Sequence, residues 1–122
     1  GVDDVPTLEE SFSNPPRHLR GRPLWFWNSA ITRDGVREQV RRCAQACGYG
    51  GLAIVPGERM TPGFMSPEYL SLYKDALDAA ASHGMKMCLY DEFWFPSGGA
   101  GGLMKERHPD ALSRRLDLVG FD

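Results

Sequence analysis

The run Tyr90-Asp91-Glu92-Phe93-Trp94-Phe95-Pro96-Ser97-Gly98-Gly99-Ala100-Gly101-Gly102 places two adjacent carboxylates, aromatic rings and a glycine loop directly after an apolar stretch. A carboxylate at a strand end can act as acid, base or hydroxyl-binding group. Aromatic rings offer flat apolar faces to a sugar, and glycines let the backbone approach a ligand closely. The same residues also suit a solvated strand end followed by a turn.

Glycoside cleavage needs two carboxyl groups across the scissile bond, one to protonate the leaving oxygen and one to act as base or nucleophile. Alternation along Met85 to Tyr90 separates Met87, Leu89 and Asp91 from Cys88, Tyr90 and Glu92. With the longer aliphatic pair facing covering helices, Tyr90 and Glu92 point inward. Glu92 is then the candidate acid, base or substrate-binding carboxylate, and Asp91 is expected to hold the loop by accepting backbone N–H bonds. A bulge at the strand end would exchange these roles. A second catalytic carboxyl would come from Glu58 or from further polypeptide.

Two other clusters stand at strand ends, Trp27-Asn28-Ser29 and Pro56-Gly57-Glu58-Arg59. In a parallel α/β fold the carboxyl ends of the strands carry the functional loops. The candidate substrate-binding residues are therefore Trp27, Asn28, Glu58, Arg59, Trp94 and Ser97. Trp25 and Trp27 share a strand face and equally suit a core, and Asn28 equally suits a cap on the turn before Thr32. The glycine run lacks the third glycine of a dinucleotide fingerprint, and no Gly-Lys-Ser/Thr sequence is present. His18, His83 and His108 form no relay with a cysteine by local sequence.

The elements positioning these ends alternate. Leu24 to Trp27 reads as an aromatic strand. A helix capped by Thr32 follows, with Val36, Val40, Cys43, Ala44 and Cys47 on one face and Gly48 as its stop. Leu52 to Val55 is a strand buried on both faces. The second helix starts at Ser66-Pro67-Glu68, presents Tyr69, Tyr73, Ala76, Leu77 and Ala80, and closes at Gly84. Met85 to Tyr90 is the third strand. The expected fold is α/β, a parallel βαβαβ unit forming the first part of a (β/α)8 TIM-type barrel. Residues 1–22 read as an extended proline-rich arm, 23–105 as the partial barrel, and 106–122 as a tail or the next element, with a short helix over 110–116. Since a closed barrel takes about 250 residues, a fragment of a larger protein is expected, with self-association through open strand edges.

Composition bounds the rest. The 122 residues are 42% hydrophobic and 25% charged with a formal net charge of −2, which suits a globular domain and argues against nucleic acid as a partner. No apolar run is long enough to cross a bilayer, and the acidic start Gly1-Val2-Asp3-Asp4 is unlike a signal peptide. Cys43, Cys47 and Cys88 read as buried free thiols, compatible with a cytoplasmic setting, and complete no metal-ligand set.

Asn14-Pro15-Pro16, Arg22-Pro23-Leu24-Trp25-Phe26-Trp27-Asn28, Gly48-Tyr49-Gly50-Gly51, Tyr90-Asp91-Glu92, Pro96-Ser97-Gly98 and Ala100-Gly101-Gly102 occur in order. Together they resemble the opening of bacterial glycoside hydrolases similar to α-L-rhamnosidases of family 106. The resemblance implies the first part of a catalytic barrel in a longer enzyme with additional β domains, where calcium is a candidate cofactor. It implies a carbohydrate ligand, places Asp91, Glu92, Trp27 and Asn28 on the sugar-binding rim, and puts the catalytic acid and base later in the barrel. This chain alone is then expected to be inactive; the alternative reading is a noncatalytic carbohydrate-binding or assembly module. Phe93-Trp94-Phe95 and Val55-Pro56-Gly57-Glu58-Arg59 depart from the usual pattern, which leaves the sugar open.

Overall fold

The computed structural model describes residues 5–96 and 98–120. Three strands, β1 (Leu24–Trp27), β2 (Gly51–Pro56) and β3 (Lys86–Cys88), form one parallel sheet in the order β1-β2-β3. Helix α2 (Arg33–Gln45) connects the first pair and α3 (Pro67–Ser82) the second, so the expected βαβαβ unit is present. The register sets Leu24 against Ala53, Trp27 against Pro56, Gly51 against Lys86 and Ala53 against Cys88.

Local chemistry starts and stops the helices where the sequence indicates. The Thr32 side chain accepts from the Gly35 N–H, and the Ser66 side chain accepts from the Tyr69 N–H with Pro67 in the first turn. Gly48 and Gly84 both adopt left-handed backbone (φ 67° and 66°), which glycine tolerates without Cβ strain. Between the helices, buried Asp75 of α3 receives Arg33 and Arg37 of α2, with N–O distances of 2.9 and 3.1 Å.

Trp25, Trp27, Leu52, Ile54 and Met87 share the face covered by the helices. There they pack with Val36, Val40, Ala44, Leu72, Ala76 and Ala80. The buried stripe of α3 runs through Tyr69, Leu72, Ala76 and Ala80. Leu77, expected on this stripe, is instead 42% exposed and lies beside exposed Leu70 on the neighbouring stripe. The apolar surface of α3 is wider than one face, and only part of it meets the sheet.

Three further expectations are corrected. The arm is not simply extended: α1 (Leu8–Ser13) is closed by a reciprocal capping box between Thr7 and Glu10, and a 3-10 turn spans Arg17–Leu19. The Thr-x-x-Glu signature was present in the sequence. Arg17 then donates to the Ala44 and Tyr49 carbonyls, satisfying the free carbonyl end of α2. Toward the other terminus, α4 (Leu103–Arg107) precedes a 3-10 turn at Pro109–Ala111, in place of a helix over 110–116. Cys47 is exposed, whereas Cys43 and Cys88 are half-buried; all three are free thiols. Among the described residues no helix is long and apolar enough to cross a membrane.

The close pairing of β2 and β3 depends on a missing side chain. A Cβ at Gly51 would collide with the Lys86 backbone carbonyl, whereas Gly21 has open space. Gly51→Ala should therefore destabilise the fold by about 3 kcal/mol, at the upper end for overpacking. Gly21→Ala should stay within about 0.5 kcal/mol. Urea unfolding of both variants checks the pair, and equal midpoints would contradict the proposed approach of the two strands.

Candidate functional site

The loops after the three strands are tied into one rim. Gly57 N–H donates to the Trp27 carbonyl at 2.8 Å, and Arg59 N–H donates to Asn28 Oδ1 at 2.9 Å. Ala30 and Thr61 form a parallel bridge. Trp94 N–H donates to the Pro56 carbonyl at 2.9 Å, joining the third loop to the second. A Cβ at Gly57 would lie 2.5 Å from Asn28 Oδ1, so glycine is needed for this approach.

β3 ends at Cys88, two residues before the expected end, and the chain leaves the sheet. The strand alternation therefore does not extend to the carboxylates. Asp91 is exposed, while Glu92 is only 3% exposed. Glu92 turns back into its own loop and accepts five backbone N–H bonds. Oε1 takes those of Phe93 (2.8 Å) and Gly101 (2.5 Å), and Oε2 takes those of Gly98 (2.7 Å), Gly99 (2.5 Å) and Ala100 (2.9 Å).

Glu92, expected to point inward as a candidate acid or base, instead holds the loop, and Asp91 is exposed. Burial by itself would raise the Glu92 pKa, but the N–H donors of Phe93, Gly101, Gly99 and Ala100 outweigh it and bring the pKa down to about 2. A carboxylate so fully bonded in its ionised form is poorly placed to carry a proton during catalysis.

Backbone geometry shows how tightly this loop is formed. Trp94 and Ala100 have positive φ (64° and 48°), as do Gly98, Gly101 and Gly102. Such conformations are unfavourable for residues with a side chain and persist where surrounding bonds fix them. Here those bonds are the Glu92 set and Tyr90 Oη donating to the Trp94 carbonyl at 2.7 Å. A Cβ on Gly101 would press within 3.2 Å of both Phe64 and Phe93.

The other sequence-nominated residues divide. Trp94 is on the rim, its ring edge-to-face with Phe26 (5.9 Å) and Phe95 (5.6 Å). Trp27 is corrected to the core: it is 1% exposed and packed against Tyr69 and Tyr73, because its strand face meets the helices. The Asn28 side-chain oxygen serves the rim itself through Arg59. Glu58 and Arg59 are exposed at the second loop, and Ser97 lies outside the described residues. Sequence reasoning missed Phe26 and Phe95, although alternation against Trp25 and Trp27 puts Phe26 on the sheet face opposite the helices.

Beside Asp91 lies a cavity of about 320 Å³, lined by Phe64, Tyr69, Tyr73, Leu89, Tyr90 and Asp91 among others. Burial, then the nearby Tyr73, pushes the Tyr69 hydroxyl up to about 12, and burial likewise raises Tyr73. Both hydroxyls therefore stay protonated at neutral pH. Asp91 is the carboxylate at this cavity, and it adjoins an aromatic wall. Among the described residues no group of three His, Cys, Asp or Glu side chains is arranged to hold a metal. Burial also raises the Cys43 thiol pKa, away from the thiolate form that metals and nucleophilic chemistry require.

The Glu92 pKa gives a pH signature. Its folded value, about 2, lies below the ordinary 4.5. Its stabilising contribution is therefore complete above pH 4.5 and lost as pH falls toward 2. In urea unfolding, the stability difference between the native chain and Glu92→Gln should be constant from pH 7 to 5 and shrink between 4.5 and 2. A difference already lost at pH 5 would contradict this.

No protein-family profile matches the chain, and no curated protein does. A solved structure does: the rhamnosidase from Novosphingobium sp. PP1Y is similar at 28% identity with a TM-score of 0.65, over 77% of this chain and 10% of that one. The chain thus spans about a tenth of that rhamnosidase, and the likeness is one of fold over that part.

Proposed function

We propose that this chain is a segment of a glycoside hydrolase of rhamnosidase type, related to family 106, and that it supplies one wall of the sugar site on a (β/α)8 barrel. The observation that carries the reading is the rhamnosidase likeness, at 28% identity across 77% of the chain. The rim supports it: an exposed carboxylate, Asp91, stands beside a cavity walled by Tyr69, Tyr73 and Tyr90, and Tyr90 in turn packs against Phe95, which packs against Trp94.

Asp91 is the residue assigned to substrate, accepting hydrogen bonds from sugar hydroxyls, and Trp94 offers an aromatic face. The proton-transfer pair belongs to polypeptide beyond this segment, since glycoside hydrolysis needs two separated carboxyls and Glu92 is committed to its loop. Glu58, exposed on the neighbouring loop, is the other carboxylate of this rim.

The test is hydrolysis of aryl α-L-rhamnosides by the longest polypeptide that carries this chain. Asp91→Asn should lower kcat/KM by about tenfold to a hundredfold, the value of a hydrogen bond to a charged group. Arg41→Ala, on the outer face of α2, should leave the rate unchanged. No turnover on any glycoside, with saturable sugar binding retained, would replace this reading with a noncatalytic carbohydrate-binding module.

A further inference from the structure

A backbone loop whose successive N–H groups converge on one point forms a nest for an anion. Residues 98–101 and Phe93 make such a nest, and Glu92 already fills it with all five donors engaged. We infer that Glu92 is a positioning residue: its carboxylate is the built-in anion of the nest, and it sets the rim orientation of Trp94 and Asp91 without touching a ligand.

Two independent observations connect the nest to the rim. Trp94 stands two residues from Glu92 in left-handed backbone and is fixed at both its N–H, by Pro56, and its carbonyl, by Tyr90. Asp91 is joined directly to Glu92 and is exposed where Glu92 is buried, so a shift of the Glu92 backbone is passed on to it. The charge of the occupant matters as well as its shape. Oε2 accepts three N–H bonds and Oε1 two, whereas a glutamine amide would set its own N–H2 against one of these donor groups.

A filled nest also bears on what the rim recognises. The glycine loop offers the converging N–H donors of an anion cradle, yet those donors are spent internally. The ligand class it leaves open is a neutral sugar, in preference to a sugar phosphate or a uronic acid held by the loop. This last consequence rests on the glycosidase reading, whereas the positioning role stands apart from it.

The experiment uses the chain itself, labelled with 15N-glycine. In the wild type the Gly99 and Gly101 amide protons should lie strongly downfield. They should move upfield in Glu92→Gln and Glu92→Ala, with a change in Trp94 emission identified against Trp94→Phe. Sodium formate should restore both signals in Glu92→Ala by refilling the nest and should leave Glu92→Gln, whose nest is occupied, unchanged. Variants with unchanged amide positions, or a Trp94 signal indifferent to Glu92, would overturn the assignment. Where Glu92→Ala does not fold, the wild-type spectrum decides, since ordinary amide positions for Gly99 and Gly101 overturn it alone. In the hydrolysis assay Glu92→Gln should lose about 100-fold in kcat/KM, the scale of a misplaced rim. A wild type without turnover contradicts the glycosidase reading, while the amide and emission results judge the positioning role without any sugar.

Discussion

The central strand β2 is the constraint from which the rest of the fold follows. All six of its residues are buried, and it pairs with a neighbour on each edge. A strand in that position has no solvent-facing side on which to place a polar residue, so it reads Gly-Leu-Ala-Ile-Val-Pro. Its backbone groups are satisfied by β1 and β3, and because both run parallel to it each connection must be a crossover, here a helix. The glycine at its start lets the Lys86 carbonyl come close, and the glycine after its end admits the Asn28 side chain. The rim is a consequence of this geometry, because the three loops emerge side by side where β2 places them.

Element identity was legible in the sequence wherever local chemistry and periodicity agreed. Thr32, Ser66-Pro67, Gly48 and Gly84 mark helix ends through effects contained within a few residues, and the structure uses each in the expected way. At Leu77 and Trp27 a tertiary contact decides. Leu77 fits the periodicity of α3 as well as Leu72 does, and only the packing of the helix on the sheet selects Leu72. Trp27 looks like a rim residue by its place at a strand end, but its side is set by strand alternation, and that side faces the helices. The capping box at Thr7 and Glu10 was a local signal overlooked beside the nearby prolines.

The turn of Glu92 into its own loop has a physical cause of the same kind. Alternation holds only while a strand is paired, and β3 is paired only as far as Cys88. Beyond it, side-chain direction is governed by whichever backbone donors lack partners. Gly98 to Gly101 supply four such donors, unhindered by bulky side chains, within reach of a glutamate arm. The aspartate, one methylene shorter, is exposed and lines the cavity. A sequence reader can see the carboxylates and the glycines, yet the bond between them spans up to nine residues and depends on five left-handed backbone positions.

This arrangement separates two meanings of a buried carboxylate at a strand end. A catalytic acid is maintained by an environment that disfavours its charge, so that the proton is held near neutral pH and released on demand. Glu92 sits in the opposite environment: burial is present, but the oriented N–H dipoles of Phe93, Gly101, Gly99 and Ala100 favour the charge and outweigh it. The bonds that make it a poor proton carrier make it a strong organiser, because ionised acceptors form stronger hydrogen bonds than neutral ones. Its stabilisation is in turn available to hold Trp94 and Ala100 in unfavourable backbone conformations. The loop can therefore be rigid while rich in glycine, and a rigid rim loses less entropy on ordering around a ligand than a flexible one. In this chain the glycines serve first to admit a carboxylate of the protein's own, and only through it to shape a surface for anything else.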